Sequence, residues 1–313
     1  DKTEGELRFV LLDADLNVGN SKVLVSASKL ANGSYFDACK RKNNTFLLAN
    51  VTSGNGIVVR EFKQNGTLAS PSENLVQGGS AHTISAIRIA CDQGSSQKYV
   101  VLWQLDNAGT SNSTIYGRRY TSFGSPNGQK SIMTATNTLP QRLGDAAYFS
   151  NGNFVVVYED ADADFDGTAI KAKRWSNTGG EVGSEVLVNL SAPGDQKTPS
   201  VTVLNDNEWV VAYTDSENRV FTRRFGKDGE DLLGRPEITA NSSTAGDQRS
   251  PAASIAGTGN ILVSYESPVP GKDGTEILAR MVNSKGELLG TEMQINTYTP
   301  SSQFDSATDG GSN

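Results

Sequence analysis

The stretch FVVVYEDADADFDGTAIKAKRW, residues 154–175, contains the unit that recurs along this sequence. An apolar run ends at Tyr158, an acidic segment turns at Gly167, and a second strand-like run leads to Trp175. Apolar runs of the first kind recur every 52 to 55 residues, as FLLAN (46–50), YVVLW (99–103), FVVVY (154–158), WVVAY (209–213) and ILVSY (261–265). Because short apolar β-rich runs are typical of buried strands, the sequence predicts one buried strand in each repeat.

A second type of strand follows each buried run and carries a basic residue in a constant register. These basic residues are Arg60, Arg118, Lys173, Arg223 and Arg280, and the strands close at Gly66, Gly124, Gly179, Gly229 and Gly286. Glycine supplies the positive φ that a hairpin turn needs. With a short first strand and a polar outer strand, each period holds four strands, which is typical of a β-propeller. The basic residues predict a row of ion pairs on the blade surfaces, and an anionic-glycan site is the alternative.

The repeat resembles the tandem propeller repeats of large secreted and surface-attached proteins, which often stand beside calcium-binding modules. The phrases that carry the resemblance are GDQKTPSV (194–201), NFVVVYEDADADFDGTAIKAKRW (153–175) and NSKGELLGTEMQINTYT (283–299). The resemblance covers nearly the whole chain and implies an extracellular location, secreted or at the cell surface. It implies little about activity, because such propellers serve adhesion, recognition and assembly alike.

The number of blades follows from aligning the chain ends with the repeats. Residues 7–28 align with the last two strands of a period, and residues 303–313 resemble the start of another. We therefore expect an all-β, six-bladed β-propeller with four antiparallel strands per blade, formed as a single domain over residues 1–313. The predicted full blades are 34–80, 81–141, 142–196, 197–248 and 249–303, and the closing blade is shared by residues 1–33 and 304–313.

This closing blade lacks one interior strand. Three explanations stay open: the chain continues beyond Asn313, a neighbouring copy supplies the strand or receives the N-terminal pair of strands, or the blade is defective. Strand donation from copy to copy is head-to-tail, and a head-to-tail contact that does not close into a ring gives a filament. We therefore expect a homopolymer joined through the terminal strands, with the assembly residues Leu7, Phe9, Leu11, Phe304 and Ala307.

The acidic segment contains Asp162-x-Asp164-x-Asp166-Gly167, which matches the first half of a calcium loop. It resembles the hairpin loops of integrin-type propellers, and this resemblance implies one possible Ca²⁺ site. Its ligands would be Asp162, Asp164 and Asp166, with Asp160 as a further candidate. A solvated acidic loop tip is the alternative, and a catalytic carboxylate pair is a third interpretation.

Two further patterns predict covalent features. Cys39 and Cys91 occupy the same register in adjacent repeats, which predicts an interblade disulfide in an oxidising compartment; two buried thiols are the alternative. Asn-x-Ser/Thr sequons predict glycosylation at Asn32, Asn43, Asn50, Asn65, Asn112, Asn189 and Asn241.

Composition and motifs limit the classes of function that the chain can have. A net charge of -7 disfavours nucleic acid as a partner, and no apolar stretch is long enough to span a membrane. His82 is the single histidine, no Gly-x-Ser-x-Gly elbow is present, and Trp103, Trp175 and Trp209 lie in strands as predicted core residues. We identify no catalytic residue and expect a non-enzymatic, extracellular structural or adhesive glycoprotein. The alternatives are a carbohydrate-binding lectin and a glycoside-active enzyme.

Overall fold

The fold is an all-β propeller with five blades of four strands each. The structure is a computed structural model. It describes residues 6–9, 22–25, 35–70, 74–76, 82–94, 96–107, 109, 112–134, 139–161, 163–190, 193–232, 237–257, 259–268 and 274–296. Every regular element in these ranges is a β-strand, so they contain no helix that could cross a membrane.

The chain divides into two compact units, residues 1–138 and 139–313. Unit 1 begins with a two-stranded sheet of β1 (Leu7–Phe9) and β2 (Lys22–Val25). Its first blade is β3 (Phe36–Lys40), β4 (Thr45–Val51), β5 (Ile57–Lys63) and β6 (Asn74–Val76). Its second blade is β7 (His82–Cys91), β8 (Tyr99–Asn107), β9 (Ser113–Tyr120) and β10 (Ser131–Ile132).

Unit 2 contains three blades, and in each the strands pair antiparallel in chain order. The first is β11 (Gln141–Tyr148), β12 (Phe154–Ala161), β13 (Thr168–Trp175) and β14 (Val186–Leu187). The second is β15 (Lys197–Asn205), β16 (Glu208–Thr214), β17 (Val220–Gly226) and β18 (Ile238–Thr239). The third is β19 (Arg249–Ile255), β20 (Ile261–Pro268), β21 (Thr275–Val282) and β22 (Leu288–Gln294).

The second strand of each blade is the recurring apolar run, and it is buried on both faces. In unit 2, Val155 and Val157 of β12 pack in one cluster with Trp209 and Val211 of β16. The opposite face of β16 packs in the next cluster, with strands β19 and β20. Strands covered on both sides read as continuous apolar runs rather than as alternating ones. The predicted buried strands and the core role of the three tryptophans are therefore confirmed.

The hairpin glycines and the basic residues also have defined structural roles. All five predicted closing glycines have a positive φ, between 72° and 92°. Lys173 and Arg223 are buried and form ion pairs of 2.8 Å with Glu181 and Asp231 of their own blades. Arg60 is also buried and donates to Asn50 at 2.8 Å. These residues support the blades from inside rather than along the surface.

The predicted sixth blade is wrong. β1 and β2 pair only with each other in the described part of the chain, and five sheets, not six, have four strands. The prediction treated sequence similarity to two strands as a sign of a whole blade. Similarity of strand type does not determine which strands pair, because pairing depends on contacts distant in sequence. Residues 303–313, the predicted first strand of that blade, lie outside the described residues.

Cys39 and Cys91 form a disulfide in unit 1, with their Cα atoms 5.6 Å apart. Cys39 lies in β3 and Cys91 ends β7, so the bond joins the first strands of neighbouring blades. Both cysteines belong to the apolar cluster around Trp103.

Candidate active site

The candidate site begins where the buried strand β12 ends, at Glu159 and Asp160. These two carboxylates follow the apolar run directly and are themselves buried. Removing a carboxylate from water is costly unless it is paired or hydrogen-bonded. Glu159 and Asp160 therefore each need hydrogen-bond or ion-pair partners, and their partners differ.

Asp160 belongs to an ion-pair network within its own blade. Lys171 lies 3.2 Å from Asp160 and 3.0 Å from Glu185, and Gln141 donates to Asp160 at 3.3 Å. The hydroxyl of Tyr158 donates to Glu185. Burial alone would lower the pKa of Lys171, but hydrogen bonds and charge from Glu185 and Asp160 outweigh it and raise that pKa. Asp160 is thus held in a structural pair with a charged lysine.

Glu159 faces the next blade instead. Its Oε1 accepts a hydrogen bond of 2.8 Å from the backbone N–H of Thr198 in β15, and Arg142 lies 4.0 Å from its Oε2. Thr198 has a φ of 53° although it is not glycine and precedes Pro199. The left-handed region is disfavoured for such a residue, at a cost of about 1–3 kcal/mol. The N–H that Thr198 donates to Glu159 therefore comes from a strained backbone position.

The turn before β15 carries the second acid. In this Gly-Asp-Gln turn, residues 194–196, the buried amide of Gln196 donates to the carbonyls of Pro193 and Gly194 at 3.3 and 3.0 Å. The N–H of Gln196 donates to the carbonyl of Thr168, and the N–H of Thr168 donates to Asp195 at 3.1 Å. The turn is thereby fixed against the start of β13.

Asp195 is partly exposed, whereas Glu159 is buried. The side chain of Asp195 is 43% exposed, and its Oδ2 lies 2.9 Å from the Nζ of Lys197. Glu159 as a residue is only 8% exposed. Lys197 and Thr198 are consecutive and contact Asp195 and Glu159 respectively, so one short segment joins the two acids. We call Glu159 and Asp195 the acid pair.

The two members of the acid pair have opposite electrostatic environments. Burial raises the pKa of Glu159, against the opposing effects of the Thr198 N–H, Arg142 and Lys197, and the charge of Asp195 raises it further. The hydrogen bond from Lys197 lowers the pKa of Asp195, and the N–H of Thr168 assists. Neighbouring carboxyls whose pKa values are displaced in opposite directions can act as acid and base.

The corresponding position in the third blade of unit 2 has a different arrangement. There Arg249 lies opposite the buried Glu266 as Arg142 lies opposite Glu159, and its Nε is 2.7 Å from Glu266, the counterpart of Glu159. Asp247, the counterpart of Asp195, lies 3.7 Å from Arg249. Glu266 is therefore bound by its own arginine at close range, whereas Glu159 has only the more distant Arg142.

The predicted calcium ligands are only partly brought together. Asp164 accepts from the side chain of Asn189 at 2.7 Å and from the N–H of Asp166 at 3.4 Å, while Asp160 is bound to Lys171. Asp162 lies outside the described residues, which contain no group of three acidic, His or Cys side chains suited to a metal. Calcium binding stays a prediction, which calorimetry with Ca²⁺ and melting with and without chelator would test.

Three of the predicted glycosylation sites lie in the interior of the folded chain. Asn50, Asn189 and Asn241 are buried. The Oδ1 of Asn189 accepts from the N–H of Ile170 at 2.9 Å, and the Oδ1 of Asn241 accepts from the N–H of Val220 at 2.8 Å. A sequon is a local pattern and carries no information about burial. Asn43 and Asn65 are exposed, Asn112 is half-buried, and Asn32 lies outside the described residues.

The sequence alone does not indicate the acid pair as a catalytic site. In the sequence, Glu159 is one member of an acidic run, and Asp195 belongs to the recurring Gly-Asp-Gln motif. The cation at the start of each first strand lies opposite a residue of its own blade, Arg142 opposite Glu159 and Arg249 opposite Glu266. Both cations are arginines, so the sequence does not distinguish the two buried glutamates.

Comparisons with known proteins support the fold. No family profile and no curated protein matches the sequence. A protein of unknown function from Dyadobacter fermentans has a similar structure, with a TM-score of 0.60 and 14% identity over 88% of this chain and 85% of that chain. An ulvan lyase of a new polysaccharide lyase family has a TM-score of 0.58 and 12% identity over 90% of this chain and 71% of that one. A mutant of AofleA from Arthrobotrys oligospora has a TM-score of 0.56 and 11% identity over 93% of this chain and 80% of that chain.

The interpretation as a non-enzymatic, filament-forming adhesin is wrong on these findings. A propeller that cleaves a polysaccharide shares most of this fold. The strand β1, which the filament would have exchanged, pairs with β2 of the same chain, and Leu7 packs beside Val25 and Leu48. The side chain of Phe9 and the residues Leu11, Phe304 and Ala307 lie outside what the structure describes.

Proposed function

We propose that this protein is a polysaccharide-cleaving enzyme in which the acid pair hydrolyses a glycosidic bond. Glu159 acts as the general acid and Asp195 as the general base. The observation that carries the proposal is that two consecutive residues contact one carboxyl each, Lys197 the partly exposed Asp195 and Thr198 the buried Glu159. Glycoside hydrolysis requires two carboxyl groups in such different states.

Each member of the pair has a separate task. Glu159 donates its proton to the glycosidic oxygen as the bond from that oxygen to the anomeric carbon breaks. Asp195 accepts a proton from a water molecule whose oxygen bonds to the same carbon. One water is consumed, one proton leaves Glu159 and one arrives on Asp195, so solvent exchange restores the starting state. The environments described above suit these roles, since burial favours the protonated Glu159 and Lys197 favours the ionised Asp195.

The charges around the pair favour a neutral polymer. Arg142, Lys197 and Arg249 are the cations at the starts of the first strands in unit 2, and each lies within 4.0 Å of a carboxylate. An anionic chain would have to compete with those carboxylates for the cations. The overall charge of -7 also disfavours binding of an anionic polymer.

The fold likeness to an ulvan lyase supports polysaccharide cleavage as the class of activity. A lyase breaks the chain by elimination, whereas the acid pair suits hydrolysis. The two reactions are distinguished by their products, because elimination leaves an unsaturated sugar that absorbs ultraviolet light and hydrolysis does not.

The test is reducing-sugar release from a panel of polymers, with arabinan and xylan as neutral members and ulvan and polygalacturonate as uronate-containing ones. We expect wild-type protein to release reducing ends from a neutral member without ultraviolet absorbance. The Glu159→Gln and Asp195→Asn variants should each lose about 10²- to 10⁴-fold in rate, the usual contribution of a positioned acid or base.

The matched control is Glu266→Gln, which changes a buried glutamate at the equivalent position of another blade. It should retain the rate, measured well below its melting temperature because the change breaks an ion pair. An equal loss in Glu266→Gln and Glu159→Gln, or no cleavage of any polymer by the wild type, would overturn the proposal.

An extracellular location is also a proposal. Its support is the disulfide between Cys39 and Cys91, because disulfides persist mainly in oxidising compartments. Fractionation of the native source, with the intact mass of the secreted chain, tests it; protein found only in the cytosol with free thiols would contradict it.

A further inference from the structure

The loop between β12 and β13 presents an aromatic side chain to solvent next to the acid pair. Phe165 is 91% exposed, whereas every other exposed large apolar side chain in the described part of unit 2 lies between 39% and 56%. Single exposed apolar residues are common on protein surfaces. Phe165 differs because its backbone is also unusual, with a φ of 72°.

This loop packs directly against the turn that carries Asp195. Gly167 has a φ of 86°, and a Cβ at that position would lie 2.7 Å from the Oδ1 of Asp195 and 3.0 Å from the carbonyl of Gly194. The next residue, Thr168, donates its N–H to Asp195 at 3.1 Å. Phe165 is three residues from Thr168, so its Cα lies within about 11 Å of the Cα of that contact, given 3.8 Å between successive Cα atoms. This distance is about that of one or two sugar units.

Two features of Phe165 are unfavourable in the free protein. A bulky residue in the left-handed region is strained, and an exposed phenyl ring gains nothing from burial. The conformation persists because the flanking residues are fixed, Gly167 against the turn and Asp164 by the side chain of Asn189. The loop therefore holds an aromatic ring in solvent in a defined position.

The surroundings of the ring match the chemistry of a neutral sugar. A pyranose or furanose has an apolar C–H face and a rim of hydroxyl donors. The phenyl ring offers an apolar surface for that face, and the carboxylates of Asp164 and Asp166 on either side in sequence offer acceptors for hydroxyls. An anionic sugar would be repelled by the same two carboxylates.

We infer that Phe165 is a sugar-stacking residue that holds a unit of a neutral polysaccharide beside the acid pair. This inference deepens the proposed function and rests on it for the identity of the polymer. Phe165 positions the substrate and takes no part in proton transfer.

The experiment compares Phe165→Ala and Phe165→Trp with the wild type. Binding is read by retardation in native gels that contain arabinan or xylan, and turnover by reducing-sugar kinetics. Phe165→Ala should lose retardation and raise KM by about 3- to 10-fold with kcat within 2-fold, which is the scale of one aromatic contact. Phe165→Trp should retain or improve both. The matched control is Phe123→Ala, a residue of equal exposure in unit 1 that should change neither reading.

The outcomes separate this inference from the proposed function. Cleavage by the wild type with an unchanged KM in Phe165→Ala would overturn the stacking role and leave the enzyme assignment intact. Retardation that depends on Phe165 without any cleavage would support the stacking role and overturn the hydrolytic one. A wild type that neither binds nor cleaves arabinan or xylan would overturn both.

Discussion

Removing the disulfide of unit 1 gives a stability change that can be worked out from the chain. The bond joins Cys39 to Cys91 across a sequence separation of 52 residues. On the loop-closure account, the entropy that the bond removes from the unfolded chain is about 2.1 + 1.5R ln n cal/mol/K. At 25 °C this gives about 4 kcal/mol for a loop of this size. The Cys39→Ala/Cys91→Ala protein should therefore lose about that much free energy of unfolding in unit 1.

Hydrogen–deuterium exchange resolved by peptide is the suitable assay, because it reports the two units separately. Amides of β4, β7 and β8 should exchange up to about 10³-fold faster in the variant, since each 1.4 kcal/mol is a factor of ten. Amides of β12 and β16 in unit 2 act as the internal control and should be unaffected. Wild-type protein kept in reductant should reproduce the variant. Exchange in unit 1 that changes by less than about 5-fold, or changes equally in both units, would refute the reasoning.

Three further predictions concern single side chains. Because burial raises the pKa of Glu159, its ionisation costs folding free energy as the pH rises above the value of an exposed glutamate. Glu159→Gln should therefore melt at a higher temperature than wild type at pH 7 and at the same temperature below about pH 4; a pH-independent difference would contradict this. Gly167→Ala should destabilise unit 2 by about 1–3 kcal/mol in urea, because a Cβ there meets Asp195 at 2.7 Å and the φ of 86° disfavours alanine; an unchanged midpoint would argue against the tight seat of the loop. Trp209→Phe should cost about 1–3 kcal/mol by thermal unfolding, since the indole N–H donates to the buried carbonyl of Gly226 at 2.7 Å, and a smaller cost would indicate that water replaces it.

The strands were predictable from the sequence, because their signal is local. The run WVVAY, residues 209–213, lies within β16 (Glu208–Thr214), and FVVVY, residues 154–158, lies within β12. Apolar residues at consecutive positions mark a strand covered on both faces wherever it pairs. The number of blades was not predictable in the same way, because a strand-like segment such as β1 does not specify how many partners it has.

The acid pair depends on information that the sequence carries only indirectly. Glu159 and Asp195 are 36 positions apart in the chain. Their proximity arises because Glu159 turns toward the following blade, whereas the adjacent Asp160 turns toward its own. A shift of one residue in the register of β12 would exchange the two roles. Sequence patterns indicate that both residues end a strand but not which of them faces the neighbour.

The buried asparagines have a consequence for producing this protein in a foreign cell. Cells that attach glycans to Asn-x-Ser/Thr do so on the emerging chain, before strands can shield the acceptor. A sugar placed on Asn189 or Asn241 at that moment would occupy the amide that donates to Asp164 in the first case and to the carbonyls of Asn218 and Ser243 in the second. The decorated chains could not complete those blades and would accumulate as misfolded material. A bacterial host that lacks this modification, with an oxidising export route for Cys39 and Cys91, is therefore the suitable source of the folded protein.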